Sequence, residues 1–276
     1  MDSRPIALFD SGVGGLSILR EIARLLPWEN TLYLADKANC PYGELSLSEV
    51  RGLSQGITRF LLSKEAKVIV VACNTASAAA LQPLRASFPE TPFIGMVPAI
   101  KPAATLTHSR RVGVLATPAT FQGELFADVV SRFATDVEVV TQACPGLVER
   151  IEEGDLCGNE TAALLGKYVA PLLQEGVDTL VLGCTHYTFL IPLLRHMVGE
   201  GVNIVDPSPA IARQTKHVLT QFDMLKTDGL PGKREFYASG DALTLSRATS
   251  YLLGKEETFI EVHWQQHQGF PSYLRI

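Results

Sequence analysis

The sequence predicts an α/β protein made of two similar, doubly wound parallel-sheet domains. Three observations predict it. Short β-rich runs alternate with longer helical patterns along most of the chain. The runs 68–71 and 179–182 are apolar on both faces, as central strands of a covered parallel sheet must be. The pattern of the first half also recurs in the second.

The elements follow in order. A strand at 6–10 meets the Gly-rich turn Asp10-Ser11-Gly12-Val13-Gly14-Gly15, then a helix at 15–26. In that helix Leu16, Leu19, Ile22, Ala23 and Leu26 recur at spacings of three and four. A strand at 31–35 precedes the turn Pro41-Tyr42-Gly43 and a helix at 46–64. The strand at 68–73 runs into an Ala-rich helix at 75–88, followed by a strand at 92–97. The second set has strands at 111–116, 137–143, 179–184 and 203–206, with helices at 120–133, 161–175 and 187–198 between and after them. Asp206-Pro207-Ser208-Pro209 is a Pro-rich joint leading into a helix at 209–222. A strand at 235–238 and a helix at 242–253 come last.

The recurrence is specific in place. Lys67-Val-Ile-Val-Val-Ala-Cys73 resembles Asp178-Thr-Leu-Val-Leu-Gly-Cys184, with the cysteines 111 residues apart. Ile6-Ala-Leu-Phe-Asp10-Ser11 echoes Val112-Gly-Val-Leu-Ala116-Thr117 at a shift of 106. So long a period implies two similar domains rather than a solenoid. The expected division is 1–96 with 211–276 for the first domain and 97–210 for the second. A chain of 276 residues fits this, since single cores seldom exceed roughly 250–300 residues.

Composition narrows the function. Hydrophobic residues make up 46% and charged residues 19%, enough for a buried core. A formal net charge of −5 gives no basic footprint for nucleic acid or an anionic membrane surface. No apolar run reaches the 18 residues of a membrane span, and the start lacks the pattern of a signal peptide. The five cysteines, Cys40, Cys73, Cys144, Cys157 and Cys184, form no CxxC pair. That argues against a disulfide framework or a metal site and for the cytoplasm.

Ligands of parallel α/β sheets bind at the carboxyl ends of the strands, where Cys73 and Cys184 fall. Each precedes an expected helix start, whose dipole should draw a thiol pKa down from about 8.5. A lone strand-end cysteine is ordinarily an inert small hydrophobe; two in matching positions of matching halves are not so easily dismissed. Inverting an α-carbon removes a proton from one face and returns it on the other. Two thiols facing each other across a cleft would do this in both directions. Ser11 and nearby backbone N–H groups are suited to a carboxylate at a helix N-terminus. Asp10 reads equally as a thiol's partner or a turn former, and His186 as a proton shuttle or a solvated loop residue.

Asp10-Ser11-Gly12-Val13-Gly14-Gly15, Pro41-Tyr42-Gly43, Ala72-Cys73-Asn74-Thr75-Ala76 and Leu182-Gly183-Cys184-Thr185-His186-Tyr187 resemble, in order, the motifs of bacterial glutamate racemases. The resemblance implies two α/β domains, no PLP or other cofactor, no metal, and production of D-glutamate for peptidoglycan. It implies Cys73 as the base acting on D-glutamate and Cys184 as the base acting on L-glutamate. Asp10, Glu152 and His186 match the family's polar helpers, although Glu149 and Glu153 stand close to Glu152 in sequence. Ser11, Tyr42, Gly43 and Asn74 match substrate-binding positions, as do Thr75, Thr117, Thr120 and Thr185. The partner expected is glutamate, with neither nucleic acid nor membrane, and a homodimer stays open. Cys40, Cys144 and Cys157 read as incidental. No Arg or Lys stands in these motifs beside the cysteines, so neutral donors are expected to hold the substrate's far carboxylate.

Rival readings are a related racemase of aspartate or another amino acid, a cysteine hydrolase using Cys184 with His186, and an amino-acid binding protein. The hydrolase leaves Cys73 unexplained, and a binding protein has no use for two thiols. A PLP racemase lacks a recognisable lysine motif.

Overall fold

Side chains alternate across a strand, so a strand apolar at every position must be covered on both faces. This is what the inner strands do. In the first strand, Ile6 and Leu8 enter one apolar cluster while Ala7 and Phe9 enter another, all four fully buried. Burying an Ile, Leu or Phe side chain contributes roughly 1.5–3 kcal/mol each. The computed structural model describes residues 2–267 and 270–276.

The chain opens with β1 (Ile6–Asp10), α1 (Leu16–Leu25), β2 (Thr31–Ala35), α2 (Leu47–Ser63), β3 (Val68–Val71), α3 (Asn74–Ser87) and β4 (Phe93–Gly95). The middle carries α4 (Ile100–Leu106), β5 (Arg111–Ala116), α5 (Pro118–Gln122), α6 (Glu124–Phe133), β6 (Glu138–Ala143), α7 (Leu147–Glu152), α8 (Asn159–Gln174), β7 (Thr179–Gly183), α9 (Ile191–Val198) and β8 (Asn203–Val205). It closes with α10 (Ser208–Gln221), β9 (Arg234–Ser239), α11 (Ala242–Leu253), β10 (Phe259–His267) and β11 (Phe270–Arg275).

Two sheets result. The larger runs β11-β10-β9-β2-β1-β3-β4 and the smaller β6-β5-β7-β8. All pairings are parallel except β10 with β11. The order 2-1-3-4 in the first sheet reappears as 6-5-7-8 in the second, so β1 corresponds to β5 and β3 to β7. The sequence echo is thus an echo of topology. One apolar cluster runs between the sheets, joining Ile6, Leu8, Val68 and Val70 to Leu115, Leu180 and Leu182. Separate clusters fill the outer face of each sheet.

The structure departs from expectation where local chemistry wins over periodicity. The helix expected at 120–133 is two helices, parted by extended backbone at Gly123. The helix expected at 187–198 starts as a 3₁₀ turn, His186–Leu190, before Pro192 opens α9. Helices α4 and α7 are too short for a periodic signal, at 7 and 6 residues. Strands β10 and β11 also escape the sequence reading. On β10 the exposed Glu261, His263 and Gln265 alternate with Val262 and Trp264, a one-sided burial unlike that of the all-apolar inner strands.

Candidate active site

In the order 2-1-3-4 the chain leaves β1 and β3 for opposite sides of the sheet, which opens a crevice at their carboxyl ends. Asp10 and Ser11 stand at the end of β1, and Cys73 two residues beyond β3. In the second sheet Thr117 follows β5 and Cys184 follows β7. The structure brings these ends together, because Asp10 and Thr185 are hydrogen-bonded across the sheets at 2.9 Å.

Cys73 is the N-cap of α3, its sulfur accepting from the Ala76 N–H at 3.4 Å. The sequence argument expects that helix end to lower the thiol's pKa, and here the structure corrects it. Burial, and then the neighbouring Asp10 carboxylate, push Cys73 well up instead, outweighing the helix N–H. Asp10 is itself fully buried, and burial raises its pKa against the stabilising His186, Thr185 and Ser11. Ser11 N–H donates to Asp10 Oδ1 at 2.6 Å, so Asp10 shapes its own turn while its other oxygen accepts from Thr185.

Cys184 has a different neighbour. Its sulfur lies 3.8 Å from His186 Nδ1, and His186 Nε2 lies 2.7 Å from Glu152 Oε1. His186 is buried, not solvated. Burial works against its charge, yet the partners Cys184 and Glu152 hold its pKa well above the ordinary value. Glu152 is also buried, unlike Glu153. Burial would raise its pKa, but His186 and Lys37 bring it down to about 2. The Val13 N–H donates to Glu152 Oε1 at 2.7 Å, and Lys37 Nζ meets Oε2 at 2.6 Å. Gly12 and Gly14 permit this approach. A Cβ on Gly12 would lie 1.9 Å from Glu152 Oε1, and one on Gly14 2.4 Å from His186 Nδ1.

A hydroxyl cluster closes the other side. Thr75 Oγ1 is 2.9 Å from Thr117 and 3.4 Å from Thr120, which are 2.9 Å apart. Asn74 is buried beside them in sequence, and neither atom of its amide has a partner among the described residues. A buried amide so placed is a strong pointer to a polar ligand. The Tyr42 hydroxyl donates to Asp36 at 2.5 Å, and Gly43 packs against Thr117.

Sequence reasoning misses Lys37, Asp36 and Tyr33, whose hydroxyl donates to Gly12 O at 2.6 Å. Lys37 also qualifies the expectation of no cation near the cysteines: it is two side chains from Cys184. Its position just past the end of β2, next to β1, was the available signal. Cys40, read as incidental, has its sulfur within 4.8 Å of ligand atoms on Glu152 and His186. Both Glu152 oxygens are already engaged there. Cys144 is buried, and burial together with the nearby Cys184 pushes its thiol pKa up, whereas Cys157 is exposed.

Two equivalent strand ends, each presenting a thiol beside an acid–base group, are the arrangement of an amino-acid racemase. The chain matches the Asp/Glu/Hydantoin racemase family over residues 12–215 and belongs to it. It is an isomerase. The glutamate racemase of Roseiflexus sp. (strain RS-1) is 55% identical over 81% of this chain and 82% of its own. The crystal structure of a glutamate racemase isoform from Bacillus anthracis superposes with a TM-score of 0.87 at 32% identity, over 95% of this chain and 98% of the other. That of the Francisella tularensis glutamate racemase, in complex with D-glutamate, gives 0.84 at 29% identity over the same shares. Among the described residues no helix is long and apolar enough to cross a membrane.

Proposed function

We propose that the chain interconverts L- and D-glutamate by a two-base mechanism that uses neither PLP nor metal. The observation that carries this reading is the equivalence of Cys73 and Cys184, each just past corresponding strands of a repeated topology. Starting from L-glutamate, the Cys184 thiolate takes the α-proton, so the Cα–H bond breaks and S–H forms. The electron pair stays on Cα and its carboxylate. The Cys73 thiol then gives its proton to the opposite face and is left as thiolate. The reverse reaction exchanges the roles. His186 stays cationic beside Cys184, while burial and then Asp10 favour the protonated form of Cys73.

Asp10, His186 and Glu152 serve as partners of the thiols. Ser11, Asn74, Thr75 and Thr185 bind the amino and α-carboxylate groups, with Tyr42, Gly43, Thr117 and Thr120 completing the pocket. In this reading Thr117, Thr120, Glu152, Thr185 and His186 belong to the domain formed by 97–210, and Asp10, Ser11, Tyr42, Gly43, Asn74 and Thr75 to that formed by 1–96 with 211–276. D-glutamate from such an enzyme would enter peptidoglycan in the cytoplasm, with the protein as a homodimer.

The test is a circular-dichroism assay of purified protein with L-glutamate, L-aspartate and L-alanine, before and after dialysis against chelator without PLP. Glutamate alone should lose rotation, equally in both preparations. Cys73→Ser and Cys184→Ser should each lower turnover in both directions by about 10³-fold or more, since a serine hydroxyl is far too weak a base. Near-normal racemisation by either variant sinks the two-base mechanism.

A further inference from the structure

Lys37 belongs to no motif, yet it is tied directly to the machinery around Cys184. It sits on a 3₁₀ turn, Lys37–Asn39, just after β2, and reaches residue 152 on α7 across the two sheets. Its Nζ lies 2.6 Å from Glu152 Oε2, while the other oxygen, Oε1, serves His186 and the Val13 N–H. Lys37, Cys40, Glu149, Glu152 and Thr244 line a cavity of about 300 Å³. The Lys37 side chain retains 24% exposure there, against 6% for Glu152. The ammonium therefore stands between the cavity and the carboxylate.

We propose that Lys37 is a positioning residue for Cys184, acting through Glu152 and His186 by fixing Glu152 Oε2 so that Oε1 faces the imidazole. The inference rests on the two-base reading given above. A buried carboxylate needs compensation for lost hydration. With Lys37 present, both oxygens have charged or N–H donors and Glu152 stays ionised. Without it, Oε2 faces the cavity and the carboxylate is free to rotate, protonate or take up water. His186 then loses its fixed orientation, and Cys184 its nearest polar partner. Cys73, flanked by Asp10 and Ala76 N–H, is not on this chain of contacts.

This one-sidedness makes the proposal testable. The two enantiomers are equal in energy, so kcat/KM must fall equally in both directions. Isotope effects need not change equally. In Lys37→Met, kcat/KM should fall about tenfold, the effect of about 1.4 kcal/mol in the barrier. The primary effect with α-deuterated L-glutamate should grow, because transfer at Cys184 becomes more limiting, and that with α-deuterated D-glutamate should shrink. Lys37→Arg, which keeps the charge, should restore most of the rate.

The pH response gives a second measure. Groups facing Glu152 are His186 and Val13 N–H, Lys37, the Cys40 thiol, Tyr33 of β2 and Tyr251 of α11. On its own helix, Arg150 is paired outward with Glu153 and Glu160, and Glu149 lines the cavity. Lys37 lowers the Glu152 pKa, so its removal must raise it. The Glu152 carboxyl ¹³C resonance should titrate at higher pH in Lys37→Met than in the wild type, and in Lys37→Arg stay close to the wild type. That readout needs no turnover. Failure of the wild type to racemise glutamate would count against the functional reading, with the ¹³C titration still judging the link to Glu152. Unchanged isotope effects for both enantiomers, or an unmoved Glu152 titration, overturns the role given to Lys37.

Discussion

Asn74 is the residue where cost and purpose separate most clearly. A buried polar group without a partner costs roughly 1–3 kcal/mol, and neither side-chain atom of Asn74 has one among the described residues. The fold gains nothing from that amide, whereas a bound amino acid offers both a carboxylate and an ammonium group. Asn74→Leu is close in shape and removes the unmet polar atoms. It should leave unfolding free energy unchanged or raise it by about 1 kcal/mol, while raising the KM for glutamate about tenfold or more. Urea unfolding and steady-state kinetics on one preparation check both halves. A destabilised variant with a normal KM would assign Asn74 to the fold instead. The thiols behave differently: Cys73 is also an N-cap, so its catalytic and structural parts are superimposed.

At the scale of the element, the Gly-rich turn after β1 is the part that both thiols share. A methyl at Gly14 would come within 2.3 Å of Thr185 Oγ1, 2.4 Å of His186 Nδ1 and 2.7 Å of Asp10 Oδ2. Thr185 donates to Asp10 on the Cys73 side, and His186 faces Cys184. Gly14→Ala should therefore lower kcat about 100-fold, the usual cost of a misplacement near 1 Å, with an unchanged far-ultraviolet spectrum. A wild-type kcat would mean the turn merely connects β1 to α1. The same scale explains what the sequence made legible. Inner strands announce themselves because they are apolar throughout, and β1, β2 and β5 have the expected bounds. Cys73, Cys184 and Asp10 fall at strand ends, so one rule of topology finds them. Lys37 and Asp36 also follow a strand end, that of β2, but their approach to α7 and β10 depends on tertiary packing, which no local pattern encodes. Trp264 of β10, for example, donates to Asp36 at 2.7 Å from 228 residues away. The direction of the Cys73 pKa is another such case. Helix position is visible in the sequence, but the depth of burial and the partner carboxylate are not.

For the whole molecule, the decisive fact is that the candidate site is made by neither sheet alone. Asp10, Asn74 and Thr75 extend from the first sheet, and Thr117, Thr120 and Thr185 from the second. The direct polar links across the site are few: Asp10 with Thr185, Thr75 with Thr117 and Thr120, and Glu152 with Lys37 and Val13. A dicarboxylate held among these donors would add bonds to both halves at once. Binding to the folded state alone stabilises it by RT ln(1 + [L]/Kd), about 2.7 kcal/mol at a hundredfold excess over Kd. For a chain of this size that corresponds to a rise in Tm of roughly 5 °C or more. Glutamate should produce this rise whichever enantiomer is added, since turnover equilibrates the two. Cys73→Ser keeps the binding groups and should show the rise for each enantiomer separately. Asn74→Leu should lose most of it. Scanning calorimetry at increasing glutamate makes the comparison, with alanine as the control that lacks the second carboxylate. An equal rise in Asn74→Leu, or none in the wild type, would place glutamate binding somewhere other than between the two sheets.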